Sequence, residues 1–184
     1  KSELFIQHST IMTVGEGETV IADKIEPLLT EMPSFIKLAY LPSLGSVRLR
    51  LTGKHANKQQ LEEALKHYTA IIARELGDLA YGYNDLSLEA HLLALLGEKG
   101  LWLGTAESCT GGYLAHRLTS VAGSSSYFKG GYIPYSNECK TKWLGVAESL
   151  FVNHGAVSQE VVEAMVTGLL EKMGCDVGVA ISGI

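Results

Sequence analysis

Cysteine is scarce in this sequence, and long apolar runs are missing from it. The three cysteines, Cys109, Cys139 and Cys175, are an odd number without a CxxC pair, which argues against a disulfide framework and a structural zinc site. No stretch approaches the roughly 18–20 continuous apolar residues that span a bilayer, and the first residues lack the charged-then-apolar order of a signal peptide. We therefore expect a cytoplasmic protein with reduced thiols and no membrane association.

An excess of positive charge is also missing. Fifteen Lys and Arg residues stand against twenty Asp and Glu residues, and the formal net charge is −5. Binding nucleic acid through its phosphates needs a face rich in Lys and Arg, so we do not expect a nucleic-acid partner. The six histidines are scattered without an HxxxH pair, so no metal site is expected either.

The composition changes along the chain, which predicts two domains. Hydrophobic residues make up 46% of the 184 residues, enough for an ordinary core. All three cysteines and 13 of the 20 glycines lie after residue 97. A turn at Asn84-Asp85 precedes an amphipathic helix that opens near Ser87. We place the domains at residues 1–85 and 86–184.

The hydrophobic pattern differs between the two domains. In the first it predicts strands at 3–14, 36–40 and 46–52 and helices at 19–29 and 57–76. In the second, strands alternate with helices, which indicates a largely parallel α/β sheet. Its predicted strands are 101–106, 131–135 and 177–181, and its predicted helices after residue 97 are 113–118, 137–144 and 159–173.

The stretch TAESCTGG, residues 105–112, joins a predicted strand to a predicted helix. Free backbone N–H groups and the helix dipole favour an anion or an oxyanion at such a place. The simpler interpretation is that Ser108 or Thr110 caps the helix and that the glycines allow close packing. No lysine follows Gly112, so the spacing does not fit a P-loop.

A second polar stretch, PYSNECK, covers residues 134–140. Tyr135 is predicted to end a strand, and Ser136 or Asn137 is predicted to cap the next helix. Lys140 then lies in the first turn, where the positive end of the helix dipole lowers the pKa of its ammonium group. The alternative is an ordinary solvated surface lysine. Because the carboxyl ends of parallel strands meet at one sheet edge, we expect the two stretches to converge.

A serine needs a neighbouring base to become a nucleophile. No histidine lies near either stretch, so Lys140 is the candidate base, and Ser-Lys pairs are a known variant of the catalytic triad. Three nucleophiles besides Ser108 remain open. Ser136 shares a helix face with Lys140, and Cys109 and Cys139 are also candidates.

Four segments taken together resemble a known family. AESCTGG, AGSSSYFKGGYIPYSNECKTKWLGV, HGAVSQEVVEAM and VAISGI resemble the C-terminal domain of the competence/damage-inducible CinA proteins. The first domain, with YLPSLGSVRLRLTG, is similar to the KH-like middle domain of that family. The resemblance implies a small KH-like α+β domain followed by a largely parallel, three-layer α/β domain. RNA binding does not follow from it, because the first domain lacks a Gly-x-x-Gly loop.

The family is associated with deamidation of nicotinamide mononucleotide, which needs no cofactor. The resemblance implies that Ser108 is the nucleophile, Lys140 the base and Tyr135 a proton-handling neighbour. The expected partner is a small pyridine nucleotide. Six residues are candidates to contact it: Thr105, Cys109, Thr110, Gly111, Ser136 and Asn137. The alternative function is a nucleotide-binding or regulatory module without catalysis.

The resemblance also implies that this chain is a fragment. Full-length CinA begins with a molybdopterin-binding-like domain associated with ADP-ribose hydrolysis and a divalent metal, and this domain is absent here. The C-terminal domain of the family continues past the segment matching SGI, residues 182–184, and there contributes an arginine to the pocket. We expect an incomplete C-terminal domain and, since small domains often expose sheet or helix faces, a homo-oligomer such as a dimer.

Overall fold

A computed structural model describes residues 4–43, 45–84 and 86–184 of the chain. The chain divides into two compact units, Lys1–Leu88 and Glu89–Ile184. The boundary expected near residue 85 falls on Asp85, which lies outside the described residues, as does Glu3 at the start of the first predicted strand.

The first unit is an antiparallel sheet with two helices. The sheet has the strand order β2-β3-β1-β4. Its short fourth strand was not predicted, because four residues that include Gly82 carry too little alternation to be recognised. In chain order the elements are β1 (Phe5–Val14), α1 (Glu18–Leu29), β2 (Ile36–Ser43), β3 (Ser46–His55), α2 (Lys58–Leu76) and β4 (Ala80–Tyr83).

The core of the first unit lies between the sheet and its helices. Val47, Leu49 and Leu51 alternate along β3 and are all buried, as their spacing predicted. Ile21 of α1 and Leu61 of α2 pack into the same cluster. Burial of one such side chain contributes about 1.5–3 kcal/mol, so these side chains stabilise the packing of both helices on the sheet.

The second unit has a parallel sheet of order β6-β5-β7, with β5 in the centre. The predicted α/β class is therefore confirmed. In chain order the elements are α3 (Leu88–Lys99), β5 (Leu103–Glu107), α4 (Tyr113–Thr119), β6 (Phe128–Tyr132), α5 (Asn137–Leu144), α6 (Glu148–His154), α7 (Gln159–Met173) and β7 (Val177–Ile181).

Two separate apolar clusters cover the two faces of this sheet. Leu103 of β5 packs with Leu93 of α3 and Leu118 of α4. Ala106, on the opposite face of β5, packs with Leu144 of α5 and Met165 of α7. The two clusters give the unit three layers, because side chains of successive strand residues point to opposite faces.

The position of β6 corrects the sequence prediction. The strand runs from Phe128 to Tyr132 and not from 131 to 135. Phe128 is buried and pairs with Leu103, whereas Pro134 has no N–H group to continue the ladder. Tyr135 consequently lies in a loop after the strand. Helix α6 was also missed, because its seven residues are too few to establish a periodic pattern.

Within the three described ranges, no helix combines the length and the apolar content that crossing a membrane requires.

Candidate active site

Ser108 follows the central strand β5 at the carboxyl edge of the parallel sheet. Its N–H group donates to the carbonyl of Ile181, the last residue of β7, at 2.9 Å. The side chain is 7% exposed. The backbone of Ser108 is therefore fixed by the neighbouring strand, at the edge where α/β sheets bind their ligands.

Lys140 reaches the same place from helix α5. Ser136 caps this helix, as predicted, by accepting the N–H of Cys139 at 3.2 Å. Only 2% of Lys140 is exposed. Its Nζ donates to Ser108 Oγ at 3.1 Å and to the carbonyl of Tyr135 at 3.2 Å. The structure thus brings the two predicted stretches together, and the interpretation of Lys140 as a solvated surface lysine is wrong.

Burial lowers the pKa of Lys140 below the ordinary value of a lysine, because an ammonium group is poorly solvated there. The nearby thiols of Cys139 and Cys109 act in the opposite direction and are weaker. The sequence predicted the direction of this shift from the helix dipole, whereas the main cause in the folded protein is burial. A lowered pKa increases the fraction of neutral amine, which is the form that accepts a proton.

The Ser-Lys pair faces a cavity of about 540 Å³. This volume lies within the range of about 300–1,000 Å³ that is typical of sites for small molecules. Among the predicted site residues, five line it: Ser108, Cys109, Tyr135, Asn137 and Lys140. The remaining lining residues are Ala156, Val157, Ser182, Gly183 and Ile184.

Four predicted contact residues lie outside this lining. Thr105 is fully buried, and its hydroxyl occupies the space that a Cβ on Gly131 would fill, which corrects the expectation that it contacts a ligand. Ser136 uses its hydroxyl as the cap of α5. Thr110 donates its hydroxyl to Glu107 at 2.8 Å, and Gly111 supplies a turn with a φ of +59°.

The helix cap at α4 also differs from the prediction. Among the described residues, neither the Ser108 nor the Thr110 hydroxyl accepts an N–H from the helix, and the N-cap position is Gly112, which has no side chain to cap it. The carboxylate of Glu107 takes that role. It accepts the N–H of Leu114 at 2.9 Å and the N–H of Ala115 at 2.8 Å. Sequence reasoning missed Glu107, although an acidic residue that ends an apolar strand before a Gly-Gly turn was an available signal.

Glu107 is fully buried and yet remains easily ionised. Burial on its own raises the pKa of this carboxyl. The N–H groups of Ala115 and Leu114 and the hydroxyl of Thr110 together outweigh that effect, so the pKa of Glu107 lies below its ordinary value. The contribution of Glu107 to stability is therefore present above the pKa of an unfolded glutamate and is lost as the pH falls through the lower pKa of the folded state.

Two further backbone N–H groups follow Ser108 in the turn. The N–H of Ser108 itself is bonded to Ile181, so it does not serve an oxyanion. The N–H groups of Cys109 and Thr110 make no hydrogen bond with any of the described residues. They belong to the turn that follows the serine, and in known acyl-transfer enzymes backbone N–H groups of such a turn can serve as oxyanion donors.

The other nucleophile candidates lack the contact that Ser108 has. Within the described ranges, neither Ser136 nor Cys139 forms a hydrogen bond with Lys140 Nζ, and Cys109 lines the cavity as an exposed thiol without one. The geometry therefore favours Ser108 over its rivals.

In the described part of the chain, no three His, Cys, Asp or Glu side chains form a group with the geometry of a metal site.

Fold and site together define a two-unit α/β protein with a lysine-paired serine at the edge of a parallel sheet. Residues 85–184 match the family model described as the CinA C-terminal domain, and residues 8–82 match the one described as the damage-inducible protein CinA KH domain. The chain belongs to the CinA family.

Curated relatives agree with this assignment over the whole chain. A CinA-like protein of Chloroherpeton thalassium is 42% identical over 183 residues, which are 100% of this chain and 44% of that protein. A putative competence-damage inducible protein of Halothermothrix orenii is 36% identical over 185 residues, with the same two coverages of 100% and 44%. The chain thus spans less than half the length of these relatives.

Solved structures of the family match about half of the chain. The competence/damage inducible protein CihA of Agrobacterium tumefaciens superposes with a TM-score of 0.52 and 37% identity, over 53% of this chain and 59% of that one. The competence damage-inducible protein A of Klebsiella pneumoniae gives a TM-score of 0.52 and 38% identity, over 52% and 60%.

Proposed function

We propose that the second unit carries a Ser-Lys amidohydrolase site that converts nicotinamide mononucleotide and water into nicotinate mononucleotide and ammonia. The observation that carries the proposal is the buried bond between Lys140 Nζ and Ser108 Oγ, 3.1 Å long, at the wall of a cavity. This separation matches that of a nucleophile and its general base. Membership of the CinA family supports the substrate, through the resemblance described above.

In the first step, neutral Lys140 takes the proton of the Ser108 hydroxyl as Oγ bonds to the carboxamide carbon. The carbonyl oxygen becomes a tetrahedral oxyanion, and the N–H of Cys109, at the cavity wall, is the donor that stabilises it. One such donor commonly contributes about 3 kcal/mol to the transition state. The burial that keeps Lys140 neutral therefore also generates the nucleophile.

In the second step, the carbon–nitrogen bond breaks and the ammonium group of Lys140 gives its proton to the leaving nitrogen. Ammonia departs and leaves an ester on Ser108. A water molecule then loses a proton to Lys140 and attacks that ester. Nicotinate mononucleotide leaves, and the proton returns to Ser108 Oγ.

Tyr135 contacts Lys140 through its main chain, whereas the role of a proton-handling neighbour would use its phenol group. Its main-chain carbonyl accepts from Lys140 Nζ, and its side chain is 73% exposed at the cavity wall. We therefore assign proton delivery to Lys140, and a direct role of the phenol group stays a prediction. Asn137 and Ser182 are polar residues of the cavity lining and are our candidates for contacts with the ribose or phosphate.

The proposal is tested by ammonia release. The purified protein is given nicotinamide mononucleotide, and both ammonia and nicotinate mononucleotide are measured. We expect equal amounts of the two products, a rate that falls to background in Ser108→Ala, and continued turnover in Ser136→Ala. An inactive Ser136→Ala beside an active Ser108→Ala would transfer the nucleophile to Ser136. Binding of the nucleotide without turnover would favour a non-catalytic module.

The rate is also expected to depend on pH. Because only neutral Lys140 accepts the serine proton, kcat/KM is expected to rise tenfold per pH unit below the pKa of Lys140 in the free enzyme and to level off above it. Burial moves this plateau to a lower pH than that of an ordinary lysine. Ammonia release measured across the pH range of stability gives the profile. A profile that rises only at the ordinary lysine pKa would contradict the role of burial.

A further inference from the structure

Glu107 holds both ends of the turn that contains Ser108. It is the last residue of β5, and no part of it is exposed. One carboxylate oxygen accepts the N–H of Ala115 at 2.8 Å. The other accepts the N–H of Leu114 at 2.9 Å and the hydroxyl of Thr110 at 2.8 Å. A single side chain thus connects the strand before the turn, the turn itself and the helix after it.

These bonds decide how the hydroxyl groups of the turn are used. Serine and threonine just before a helix ordinarily accept N–H groups of its first turn as caps. Here the carboxylate accepts those N–H groups, because an ionised acceptor makes the stronger bond and is also favoured by the helix dipole. Thr110 donates its hydroxyl to the same carboxylate. Among the described residues, the contact of the Ser108 hydroxyl is Lys140 Nζ.

We propose that Glu107 is a positioning residue for the Ser108 nucleophile. By capping α4 in place of the local hydroxyl groups, it keeps the Ser108 Oγ directed at Lys140. It touches neither substrate nor reacting atoms. The expected effect of Glu107 on turnover rests on the function proposed above. Its effect on the chemical reactivity of Ser108 does not depend on which substrate the protein uses.

The first test is Glu107→Gln, which keeps the shape of the side chain and removes its charge. The amide offers one oxygen where the carboxylate offers two, so a backbone N–H or the Thr110 hydroxyl loses its partner. We expect kcat to fall about 10- to 100-fold with little change in KM, as for a group whose effect is on the transition state. The pH at which the rate reaches its plateau is expected to stay in place, because Lys140 sets it.

Thr110→Val is the second variant, and it keeps the charge of Glu107. It removes one of the three bonds to the carboxylate, so the same effect on kcat is expected at a smaller size, several-fold. This variant keeps the proposal testable should Glu107→Gln fail to fold.

Asn57→Ala is the control for lost stability, because Asn57 caps α2 in the first unit through the N–H of Gln60. It is expected to lower the melting temperature and to leave kcat unchanged.

A second measurement separates this inference from the proposed function. A fluorophosphonate probe labels an activated serine by forming an oxygen–phosphorus bond and releasing fluoride, and mass spectrometry of the Ser108 peptide measures the rate. We expect Glu107→Gln to slow the labelling about tenfold or more, as it slows acylation. Slowed labelling in a protein without activity on nicotinamide mononucleotide would overturn the proposed substrate and support the positioning role.

Three outcomes would overturn the positioning role itself. The first is native kcat and native labelling in both Glu107→Gln and Thr110→Val. The second is a native protein in which Ser108 neither reacts with the probe nor turns over substrate. Loss of kcat that simply follows the melting temperature, with Asn57→Ala losing as much, would also reduce Glu107 to a structural cap.

Discussion

Replacing Lys140 with methionine is expected to abolish turnover while leaving the melting temperature at or above that of the native protein. A general base of this kind contributes about 10²–10⁴ to the rate, and a base that is also needed to generate the nucleophile contributes at the upper end or beyond. Methionine has nearly the volume of lysine and three rotatable bonds, so it fills the same buried space without a cavity. The activity and the stability of the protein therefore change in opposite directions.

The stability part of this prediction follows from the lowered pKa of Lys140. A lysine whose folded-state pKa is below its unfolded value binds fewer protons when folded, so stability rises with pH between the two values. The cost of burying the ammonium group is fully present below the folded pKa, and it disappears above the unfolded value. The advantage of methionine is accordingly largest at low pH and shrinks as the pH approaches the ordinary pKa of lysine.

Thermal unfolding and ammonia release across the pH range test both parts. Lys142→Met is the matched control, because Lys142 lies on the same helix and is exposed. It is expected to keep its activity and to show no gain in melting temperature that depends on pH. A fall of several degrees in Lys140→Met at neutral pH would mean that the bonds of Nζ to Ser108 and Tyr135 outweigh the cost of burial.

Local patterns in the sequence were sufficient for most of the fold. Alternation in β3 and the helical spacing in α2 and α7 predicted these elements because each has one buried face that repeats over many residues. Two short elements, β4 with four residues and α6 with seven, were missed for lack of such repetition. The displacement of β6 has another cause: its pairing with β5 is decided by Phe128 and Pro134, and neither is part of a periodic pattern.

The candidate site was predicted where chemistry and position agree. Ser108 and Lys140 follow from residue type and from the convergence of strand ends at one sheet edge. The burial of Lys140 was not predictable, because it depends on packing between helices that are distant in sequence. Glu107 was missed for a related reason. The two backbone N–H groups that it accepts lie seven and eight residues later, so its role depends on the path of the turn between them.

Gly168→Ala is expected to cause the largest loss of stability among single-methyl additions in the second unit. A Cβ at this position would lie 1.8 Å from the carbonyl oxygen of Leu144 and 2.7 Å from its carbonyl carbon. Both contacts are with the backbone at the end of α5, which has no side-chain rotation available to relieve them. Helices α5 and α7 must therefore move apart, although α7 packs on the sheet through buried Met165 and Leu169.

Two effects of opposite sign compete in this variant. Alanine favours a helix over glycine by about 1 kcal/mol, which on its own would stabilise α7. Overpacking of a core commonly costs about 1–3 kcal/mol and occasionally more, and a clash with the backbone belongs at the upper end. We expect a net loss of about 2 kcal/mol or more and, at about 2–4 °C per kcal/mol, a melting temperature lower by at least 4 °C.

Activity is expected to fall with the displacement of α5. Lys140 lies one turn before Leu144 on this helix, and a shift of about 1 Å in a reacting group costs about 100-fold in rate. Thr167→Ala is the matched control. Thr167 precedes Gly168 on α7 and is exposed, and alanine is a better helix former than threonine. Calorimetry and the ammonia assay on both variants give the comparison. If Gly168→Ala keeps the native melting temperature and rate, the close packing of α7 against α5 is not what holds Lys140 beside Ser108.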